Sequence, residues 1–580
     1  MVKFSDKRLL YSILIVLPML NLLFMHYYFY INNYLEWTWM YSEVINICGI
    51  VFDVSVLMFL LLLITKGRLK PALVITQIIT IIWSFVNVVY GRFFSQYMSL
   101  SAIGEAHGLG DSLVINSVMS AFSWHDSFYL LSVFSFFTIF KLVRPYKLSN
   151  KYLVMLLAAP IFSILMTFFA YSVYHFVHPH YRNNWELYKF RLHEFLYDPV
   201  RGGTPNLAHF QTGCIRVAIY EIYDLFHFKE LTSDQKNQIE DYYQDHSFRT
   251  THHQRNPKIK NVIFILLESF LSAPIDLKVD GKEVTPFLNS LKRDSDVYYN
   301  GNMISDIGCG ESGDGQFIYM TGILPLKYKM TVGQVKNHVL PSLPKVLCKE
   351  LGLQKAEIIF PTMPNLWQQA DMNVAYGMTR SYSMIDIVGK KDGEVDDQSI
   401  FEFAAKSLDM NSAPYFSLIL SVSGHSPYDH YKGENLFLGN NDYPEEYLNY
   451  LNTCHYTDAQ IEKYLNVLKG KGLYENTLII IGSDHYAHLD MLKMSGKVSS
   501  HIPLFIINGG VNEKEMWKGE FHQLDTYTTI LDLLSTNQTW KGLGYTLLNP
   551  LYSNSVTDYS YDVSRMIIED DYFEESGVIH

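Results

Sequence analysis

Long apolar runs are concentrated in the first third of the chain, and short apolar runs recur after residue 260. The long runs cover residues 9–29, 45–64, 72–90, 127–142 and 152–174. A helix of about 20 apolar residues crosses the hydrocarbon core of a bilayer. These runs therefore predict five membrane-spanning helices, the fourth being the shortest. Buried helices of a soluble protein are the alternative interpretation.

Basic residues mark alternate connections between these runs. They are Lys3, Lys7 and Arg8 before the first run, Lys66, Arg68 and Lys70 after the second, and Lys141, Arg144, Lys147 and Lys151 after the fourth. By the positive-inside rule, the N-terminus lies in the cytoplasm and the chain beyond the fifth run lies outside. Because no small-residue cleavage site follows the first run, we expect it to remain as an anchor.

The composition changes twice after the last long run. Residues 176–257 are charged and aromatic, and 183–198 and 232–248 both have the pattern of amphipathic helices. From residue 258 the pattern is that of a globular domain. We therefore expect a transmembrane domain over 1–175, a helical juxtamembrane connector over 176–257, an α/β domain over 258–548 and a tail over 549–580.

The short apolar runs predict a parallel sheet in the third segment. They cover residues 261–270, 415–425, 476–485 and 502–509, and each ends in polar residues or glycine. Continuous apolar runs of this length are typical of strands buried on both faces, with helices such as 447–469 between them. Ligands in open α/β sheets bind beyond the carboxyl ends of the strands.

The overall composition narrows the function classes. The chain has 580 residues, 48% hydrophobic and 15% aromatic, which fits a membrane portion, and its net charge of -12 gives no support to nucleic-acid binding. The five cysteines include no CxxC motif, and their spacing does not reveal a pairing.

Polar side chains at the predicted strand ends suggest a metal site. Glu268, Asp484 and His485 offer two carboxylates and one imidazole, a set that suits Mn²⁺, Zn²⁺ or Mg²⁺. Ser312 lies in the glycine-rich stretch GCGESGDGQFIYMTG at the start of a helix-like run, where a metal would activate its hydroxyl as a nucleophile. The alternatives are a plain N-cap role for Ser312 and a strand-end turn for Asp484 and His485.

Several motifs together resemble the lipoteichoic acid synthase and phosphoglycerol transferase family, within the alkaline phosphatase and sulfatase-like superfamily. They are NVIFILLESF, TPFLNSL, the glycine-flanked Glu311-Ser312, YLNTCHYTDAQIEKYL and GSDHYAHL. The order of five spans, connector and extracytoplasmic catalytic domain is also the plan of this family. The resemblance implies a bacterial cytoplasmic-membrane enzyme with an alkaline phosphatase-like α/β domain.

The resemblance also implies roles for individual residues. Glu268, Ser312, Asp484 and His485 would bind one divalent ion, usually manganese in relatives, with magnesium or zinc as alternatives. Ser312 takes the place of a nucleophilic threonine, so the hydroxyl is kept. His425 matches a histidine that contacts the head group and is expected to orient or protonate the substrate. Trp367 matches a pocket tryptophan, and His501 is expected in the pocket wall.

Gln369 departs from the family pattern, because relatives that polymerise glycerol phosphate have arginine there. Glutamine offers neither the charge nor the paired donors of a guanidinium, so the sequence does not fix the identity of the lipid head group. The neighbouring Glu311 is expected to be a solvated carboxylate, and His488, like His501, to lie around the metal site rather than bind the ion.

The implied reaction moves the head group of a phospholipid, such as phosphatidylglycerol, through phospho-Ser312 to a hydroxyl of an envelope glycan or polymer. Three alternative functions share some of these features. A sulfatase is disfavoured because the proline and arginine of the formylglycine motif do not follow Ser312. A phosphoethanolamine transferase acting on lipid A or a surface glycan, with phosphatidylethanolamine as donor, is the enzymatic alternative. A catalytically idle membrane scaffold or sensor is the alternative of another class.

Overall fold

The computed structural model describes most of the chain and divides it into two compact units. The described residues are 4–32, 42–94, 96–100, 119, 121–149, 157–177, 205–226, 231–244, 249–251, 253–327, 329–389, 395–408, 414–429, 431–511, 516–537, 539–552, 554–569 and 571–576. The first unit takes in residues 1–104 and 112–228, and the second takes in 105–111 and 229–580.

The first unit is helical and has a helix at each of the five predicted positions. Its helices are Phe4–Ile31, Ser42–Ile64, Leu69–Phe94, Ser127–Leu142, Ala158–Val177, Pro205–Thr212 and Cys214–Phe226. In the described part of the chain, three stretches are long and apolar enough to cross a membrane, namely Leu9–Ile31, Glu43–Ile64 and Leu69–Arg92. The fourth helix has 16 residues, and the apolar part of the fifth is the shorter Ala158–Ala170. Three spans are therefore supported by the structure, and the total of five stays a prediction.

Buried polar side chains join the helices of the first unit. Asn21 donates to Gln77 at 3.3 Å, Gln77 donates to Ser132 at 2.9 Å, and Ser132 donates back to Asn21 at 2.6 Å. The Asp53 carboxylate accepts the N–H groups of Cys214 and Ile215, at 2.7 and 2.9 Å. Polar groups in an apolar surrounding are stable only when they are paired in this way.

The predicted connector contributes helices to both units. Pro205–Thr212 and Cys214–Phe226 belong to the first unit, whereas Ser233–Gln244, at the predicted amphipathic helix 232–248, belongs to the second. The predicted helix 183–198 lies outside the described residues.

An eight-stranded sheet forms the centre of the second unit. Its strands are β1 Asn261–Leu267, β4 Val297–Ile304, β5 Lys355–Ile359, β6 Arg380–Tyr382, β7 Tyr415–Leu420, β8 Thr477–Ser483, β9 Ile502–Ile507 and β10 Phe521–His522, in the order β10-β4-β9-β8-β1-β7-β5-β6. Strands β2 Lys278–Val279 and β3 Lys282–Glu283 pair separately. All four predicted strands are present.

The central strands are buried on both faces, as their continuous apolar sequence predicts. Every residue of β1 is buried, and Val262 pairs in parallel with Phe416 of β7 and Leu478 of β8. The helices of this unit are Ser233–Gln244, Pro286–Lys292, Ser312–Thr321, Thr331–Val335, Leu343–Leu351, Gln369–Ala375, Met384–Val388, Asp397–Ser407, Glu445–Gly470, Asp525–Leu533, Asp558–Glu569 and Tyr572–Ser576. The predicted helix 447–469 is the central part of Glu445–Gly470.

One predicted strand runs in the opposite direction to its neighbours. β9 is antiparallel to both β8 and β4, so the sheet is mostly rather than wholly parallel. The amino end of β9 therefore lies at the same edge as the carboxyl ends of β1, β7 and β8. This edge carries Glu268, His425, Asp484, His485 and, just before β9, His501.

Candidate active site

Three side chains with metal-binding groups meet at the carboxyl edge of the sheet. Glu268 follows β1, and Asp484 and His485 follow the adjacent strand β8. Nε2 of His485 lies 3.6 Å from Oε1 of Glu268 and 3.6 Å from Oδ2 of Asp484. One ligand atom from each of the three lies within 4.8 Å of the others. The predicted convergence of these residues is present.

Ser269 fixes the two carboxylates in place. Its backbone N–H donates to Oδ1 of Asp484 at 2.8 Å, and its hydroxyl donates to Oε1 of Glu268 at 2.7 Å. Its φ of 52° lies in the left-handed region, which costs free energy for a residue other than glycine. The backbone therefore turns sharply at the strand end, where it links the termini of β1 and β8.

Ser312 presents its hydroxyl to the same cluster. Its Oγ lies 3.2 Å from Nε2 of His485 and 3.3 Å from Oε2 of Glu268. Ser312 is the first residue of the helix Ser312–Thr321, and the N-cap position belongs to Glu311, at a strained φ of 43°. The hydroxyl is thus directed to the cluster by a sharp turn, and the plain N-cap interpretation of Ser312 is wrong.

The glycines around Ser312 allow close approach of the protein's own groups. A Cβ on Gly308 would lie 2.4 Å from the Leu326 carbonyl oxygen, and one on Gly315 would lie 2.3 Å from the Asp484 carbonyl oxygen. The N–H groups of Gly308 and Gly310 both donate to the buried Asp314 carboxylate, at 2.9 and 2.8 Å. The glycine-rich stretch is thus folded tightly against the strand that carries Asp484.

Buried acids give the cluster an excess of negative charge. Burial and the neighbouring Glu268 carboxylate raise the pKa of Asp484 to about 7, and burial raises the pKa of Glu311 to about 7. Although burial opposes it, the carboxylates of Asp484, Glu311 and Glu268 raise the pKa of His485 to about 9. Three carboxylates surround the single imidazole of His485, so the cluster favours a further cation.

The surroundings of Glu311 differ from the sequence prediction of a solvated carboxylate. Its side chain is 18% exposed, and Oε2 lies 3.5 Å from Nδ1 of His485. Oε2 is also a buried oxygen without a hydrogen-bond partner in the described structure. Glu311 is therefore a buried neighbour of the cluster rather than a solvated carboxylate.

The donor set fits a divalent ion. Oxygen and nitrogen atoms about 2.0–2.2 Å from one ion are roughly 3–3.5 Å apart, and the separations of 3.2–3.6 Å among Ser312, Glu268, Asp484 and His485 are close to this range. Two carboxylates, a hydroxyl and an imidazole suit Mn²⁺, Zn²⁺ or Mg²⁺. His485 Nδ1 lies 2.8 Å from the Tyr486 carbonyl oxygen, which leaves Nε2 on the cluster side.

His425 borders the cluster on the side of β7. A Cβ on the preceding Gly424 would lie 2.1 Å from the Glu268 carbonyl oxygen, so the loop after β7 runs directly against the end of β1. His425 Nδ1 lies 2.7 Å from the Ser426 carbonyl oxygen, which sets the orientation of the ring. With His485, His425 lowers the pKa of Glu268 in spite of its burial.

Gln369 lies in the interior rather than facing an open pocket. It is 7% exposed, and its amide donates to Gln316 at 3.0 Å and to Asn373 at 2.8 Å while accepting from Gln316 at 3.3 Å. Trp367, two residues earlier, is half-buried and has a strained φ of 52°. The amide pair ties the Trp367 loop to the helix that begins at Ser312.

His501 is directed to one side of the edge, where it forms a pair with Glu520. Its Nε2 lies 3.0 Å from Oε2 of Glu520, and its Nδ1 bonds the hydroxyl of Ser499. In the described structure the metal-type group consists of Glu268, Asp484 and His485 and does not include His501.

A second histidine–carboxylate pair at this edge was not anticipated. Nδ1 of His522, at the end of β10, lies 2.6 Å from Oδ1 of Asp306, which follows β4. Gln523, the residue after His522, donates to the Asp484 carbonyl oxygen at 2.8 Å and so connects this pair with the cluster. Asp306 and His522 are 216 positions apart in the chain, and neither belongs to a strong sequence motif.

Cys309 does not act on the cluster. Its thiol is buried and donates to the Lys327 carbonyl oxygen at 3.1 Å. All five cysteines of the chain are free thiols.

A phosphatase-like sheet with a metal-type cluster and a serine hydroxyl at its carboxyl edge defines the sulfatase-like class of proteins. The Sulfatase family model matches residues 260–536, and the model of the lipoteichoic acid synthase N-terminal domain matches residues 1–184. The two matches together support the assignment of the chain to the lipoteichoic acid synthase family, within the alkaline phosphatase and sulfatase-like superfamily. The chain is a membrane protein and an enzyme of the phosphotransferase type.

Named relatives agree with this assignment. Lipoteichoic acid synthase 2 of Bacillus subtilis is 26% identical over 501 residues, covering 82% of this chain and 74% of the relative. The lipoteichoic acid synthase of Staphylococcus aureus is 26% identical over 417 residues, covering 69% of this chain and 61% of the relative, less than two thirds of its length.

Among solved structures, the phosphoethanolamine transferase EptA of Neisseria meningitidis has the same fold. It matches with a TM-score of 0.57 at 12% identity, over 92% of this chain and 96% of EptA. The lipoteichoic acid synthase LtaP of Listeria monocytogenes matches at 18% identity over 59% of this chain, with a TM-score of 0.47.

Proposed function

We propose that this chain is a membrane-bound transferase that moves a phosphoglycerol-type head group from a phospholipid to a hydroxyl of an envelope glycan or polymer. The observation that carries the proposal is the position of the Ser312 hydroxyl, 3.2 Å from His485 and 3.3 Å from Glu268. A hydroxyl within a metal-type cluster is the arrangement required for nucleophilic attack on phosphorus. The curated relatives are named lipoteichoic acid synthases, which supports an envelope polymer as the acceptor, and the head group rests on the sequence resemblance.

Glu268, Asp484, His485 and Ser312 would hold one divalent ion, for which we favour manganese. Such an ion lowers the pKa of a hydroxyl and offsets charge on a phosphate. The protein's own contribution is preorganisation: Ser269 fixes both carboxylates, and the strained turn at Glu311 aims Ser312. Held groups of this kind need little rearrangement during the reaction.

In the first step, Ser312 Oγ forms a bond to the phosphorus of the lipid. The bond between phosphorus and the diacylglycerol oxygen breaks, and its electron pair leaves with diacylglycerol. The Ser312 proton passes to a base of the cluster, for which Oε2 of Glu268, at 3.3 Å, is in position. A proton delivered to the leaving oxygen completes the step, and we assign this delivery to His425.

In the second step, a hydroxyl of the acceptor attacks the same phosphorus. The bond to Ser312 breaks, its electron pair returns to Oγ together with the proton held by Glu268, and the proton of the acceptor hydroxyl passes to His425. Trp367 and His501 would line the path of the substrate. Because Gln369 uses its amide within the protein, we assign it a supporting role for the Trp367 loop rather than a contact with phosphate.

Tethering to the membrane suits a lipid donor. The three apolar helices hold the chain at the surface where the phospholipid is concentrated, so a modest intrinsic affinity suffices. We place the N-terminus in the cytoplasm and the catalytic unit outside, on the side of the envelope acceptors.

Vesicles of defined lipid test the proposal. The full chain is reconstituted with Mn²⁺ in vesicles that contain phosphatidylglycerol or phosphatidylethanolamine, and the Ser312 peptide is weighed by mass spectrometry. We expect a phosphoglycerol adduct and release of diacylglycerol in the first case. An adduct of phosphoethanolamine alone would favour the alternative head group. The absence of an adduct with both lipids would contradict the proposed transfer and favour a catalytically idle scaffold or sensor.

Three variants provide the controls. Ser312→Ala removes the hydroxyl and should abolish the adduct, whereas Ser312→Thr keeps it and should retain activity. Ser290→Ala is the matched serine control, because its hydroxyl bonds only the Phe287 carbonyl within another helix. An adduct that persists in Ser312→Ala would contradict the proposed nucleophile.

A further inference from the structure

His488 is a further histidine at the candidate site whose ring has no hydrogen-bond partner among the described residues. It follows His485 in the loop after β8, and the centres of the two rings are 6.2 Å apart, with the planes at 45°. The side chain is half-buried. Its nitrogens are not among the buried unpaired atoms of the described structure, so they remain accessible to solvent. An unpaired polar ring beside a cluster of this kind is a candidate for contact with substrate.

The backbone of His488 is held, whereas its ring is left unused. The N–H of His488 bonds the hydroxyl of Tyr428, a buried residue of the loop after β7. The charges of His485, His425 and Glu268 all act on the His488 ring. The ring therefore lies at the same edge of the sheet as these three residues, with His485 as its neighbouring ring.

The position of the ring relative to Ser312 indicates which part of a substrate it can reach. His485 lies 3.2 Å from Ser312 Oγ, and His488 is one ring further away. A group bonded to Ser312 through phosphorus that extends towards His488 would meet the ring with its far end rather than with the phosphorus.

We propose that His488 is a specificity-determining residue that hydrogen-bonds a hydroxyl of the head group carried on Ser312, and so favours a polyol over an ammonium head group. The inference rests on the proposed transfer. An imidazole both donates and accepts a hydrogen bond, which matches a hydroxyl, whereas an ammonium group only donates.

Two substitutions separate hydrogen bonding from shape. His488→Phe keeps a planar ring without polar atoms, and His488→Gln keeps one donor and one acceptor. In phosphatidylglycerol vesicles with Mn²⁺, we expect His488→Phe to raise the KM for the lipid about tenfold, the effect of losing one hydrogen bond. We expect His488→Gln to stay within about threefold of the wild-type KM. The preference for phosphatidylglycerol over phosphatidylethanolamine should narrow in His488→Phe.

Metal content and a matched histidine serve as controls. Elemental analysis should find the same amount of bound manganese in both variants, and loss of the ion in His488→Phe would overturn the proposal by assigning the ring to the metal site. His455→Phe is the control substitution, because the imidazole of His455 bonds the Val284 carbonyl oxygen outside the cluster.

The outcomes distinguish this inference from the function on which it rests. A wild-type chain that forms no adduct on Ser312 overturns the proposed transfer and this inference with it. A wild-type chain that forms the adduct, combined with an unchanged KM and lipid preference in His488→Phe, overturns only the role of His488. An equal rise of the KM in His488→Gln and His488→Phe also contradicts the proposed role of His488, since glutamine keeps the hydrogen-bonding groups.

Discussion

Gly315 lies directly against the backbone of Asp484, so that a Cβ on Gly315 would be 2.3 Å from the Asp484 carbonyl oxygen. Gly315→Ala should therefore push the Ser312 helix away from β8 and destabilise the protein by about 1–3 kcal/mol, the usual cost of overpacking. Urea unfolding of the detergent-solubilised chain measures the loss, and manganese binding should weaken with it.

The matched control for this substitution is Gly470→Ala. Gly470 ends the helix Glu445–Gly470, and a Cβ there would meet nothing within 4 Å. Alanine should be neutral or stabilise the protein by up to about 1 kcal/mol, as in helices generally. Equal losses in the two variants would contradict a specific contact between Gly315 and Asp484.

Metal binding should stabilise the folded chain through the carboxylates at the sheet edge. We expect Mn²⁺ to raise the Tm of the wild-type protein, because an ion that binds only the folded state shifts the unfolding equilibrium. Glu268→Gln and Asp484→Asn should abolish the shift, while Glu446→Gln, at an exposed position, should retain it. A full shift in Asp484→Asn would exclude Asp484 as a ligand.

The pair of His522 and Asp306 should make stability depend on pH. Hydrogen bonding and charge from Asp306, with the nearby charges of Asp525 and Glu520, raise the pKa of His522 in spite of burial. A histidine whose pKa is higher in the folded state than in the unfolded state makes its full contribution to stability at pH values below the unfolded-state pKa. This contribution is lost as the pH rises through the folded-state pKa. His522→Gln should thus cost about 1.5–3 kcal/mol at pH 5.5 and less at pH 9.

A double-mutant cycle with Asp306→Asn checks that the effect belongs to this pair. The coupling between the two substitutions should be present at pH 5.5 and smaller at pH 9, as measured by urea unfolding. A loss that is the same at both pH values would contradict an ionic pair.

The amide pair of Gln316 and Gln369 should be strongly coupled. Gln369→Leu leaves the buried Gln316 amide without its partner and should cost about 1–3 kcal/mol. Replacing both by leucine removes both polar groups and should recover much of the loss. Strict additivity of the two changes would show that the pair is not energetically linked.

The membrane topology can be tested at two connections. Reporter fusions after residue 149 should be cytoplasmic and fusions after residue 228 should be extracytoplasmic, as the basic residues predict. The same side for both fusions would mean that Ala158–Val177 does not span the bilayer. Ala158–Val177 is one of the two predicted membrane spans that are not among the three long apolar stretches.

The sheet and the ends of its strands could be predicted from the sequence. Short, continuous apolar runs identify β1, β7, β8 and β9, and the polar residues that follow β1 and β8 meet because parallel strands end at one edge. Glu268 and Asp484 are therefore predictable as neighbours although they are far apart in the chain.

The remaining features depend on tertiary packing that no local pattern encodes. The antiparallel direction of β9 follows from its connection and its neighbours, since parallel and antiparallel buried strands share one pattern. The burial of Glu311 follows from the turn before Ser312, and its charged side chain gave the opposite expectation. The contact of Gln316 with Gln369 joins two segments whose sequences carry no mutual signal.

The free state of all five cysteines has a consequence for how the protein matures. None of Cys48, Cys214, Cys309, Cys348 and Cys454 is cross-linked, so no disulfide stabilises the described architecture. Its assembly needs no thiol oxidant and no disulfide shuffling catalyst. The chain is thereby suited to hosts, and to cell-free systems, that keep thiols reduced.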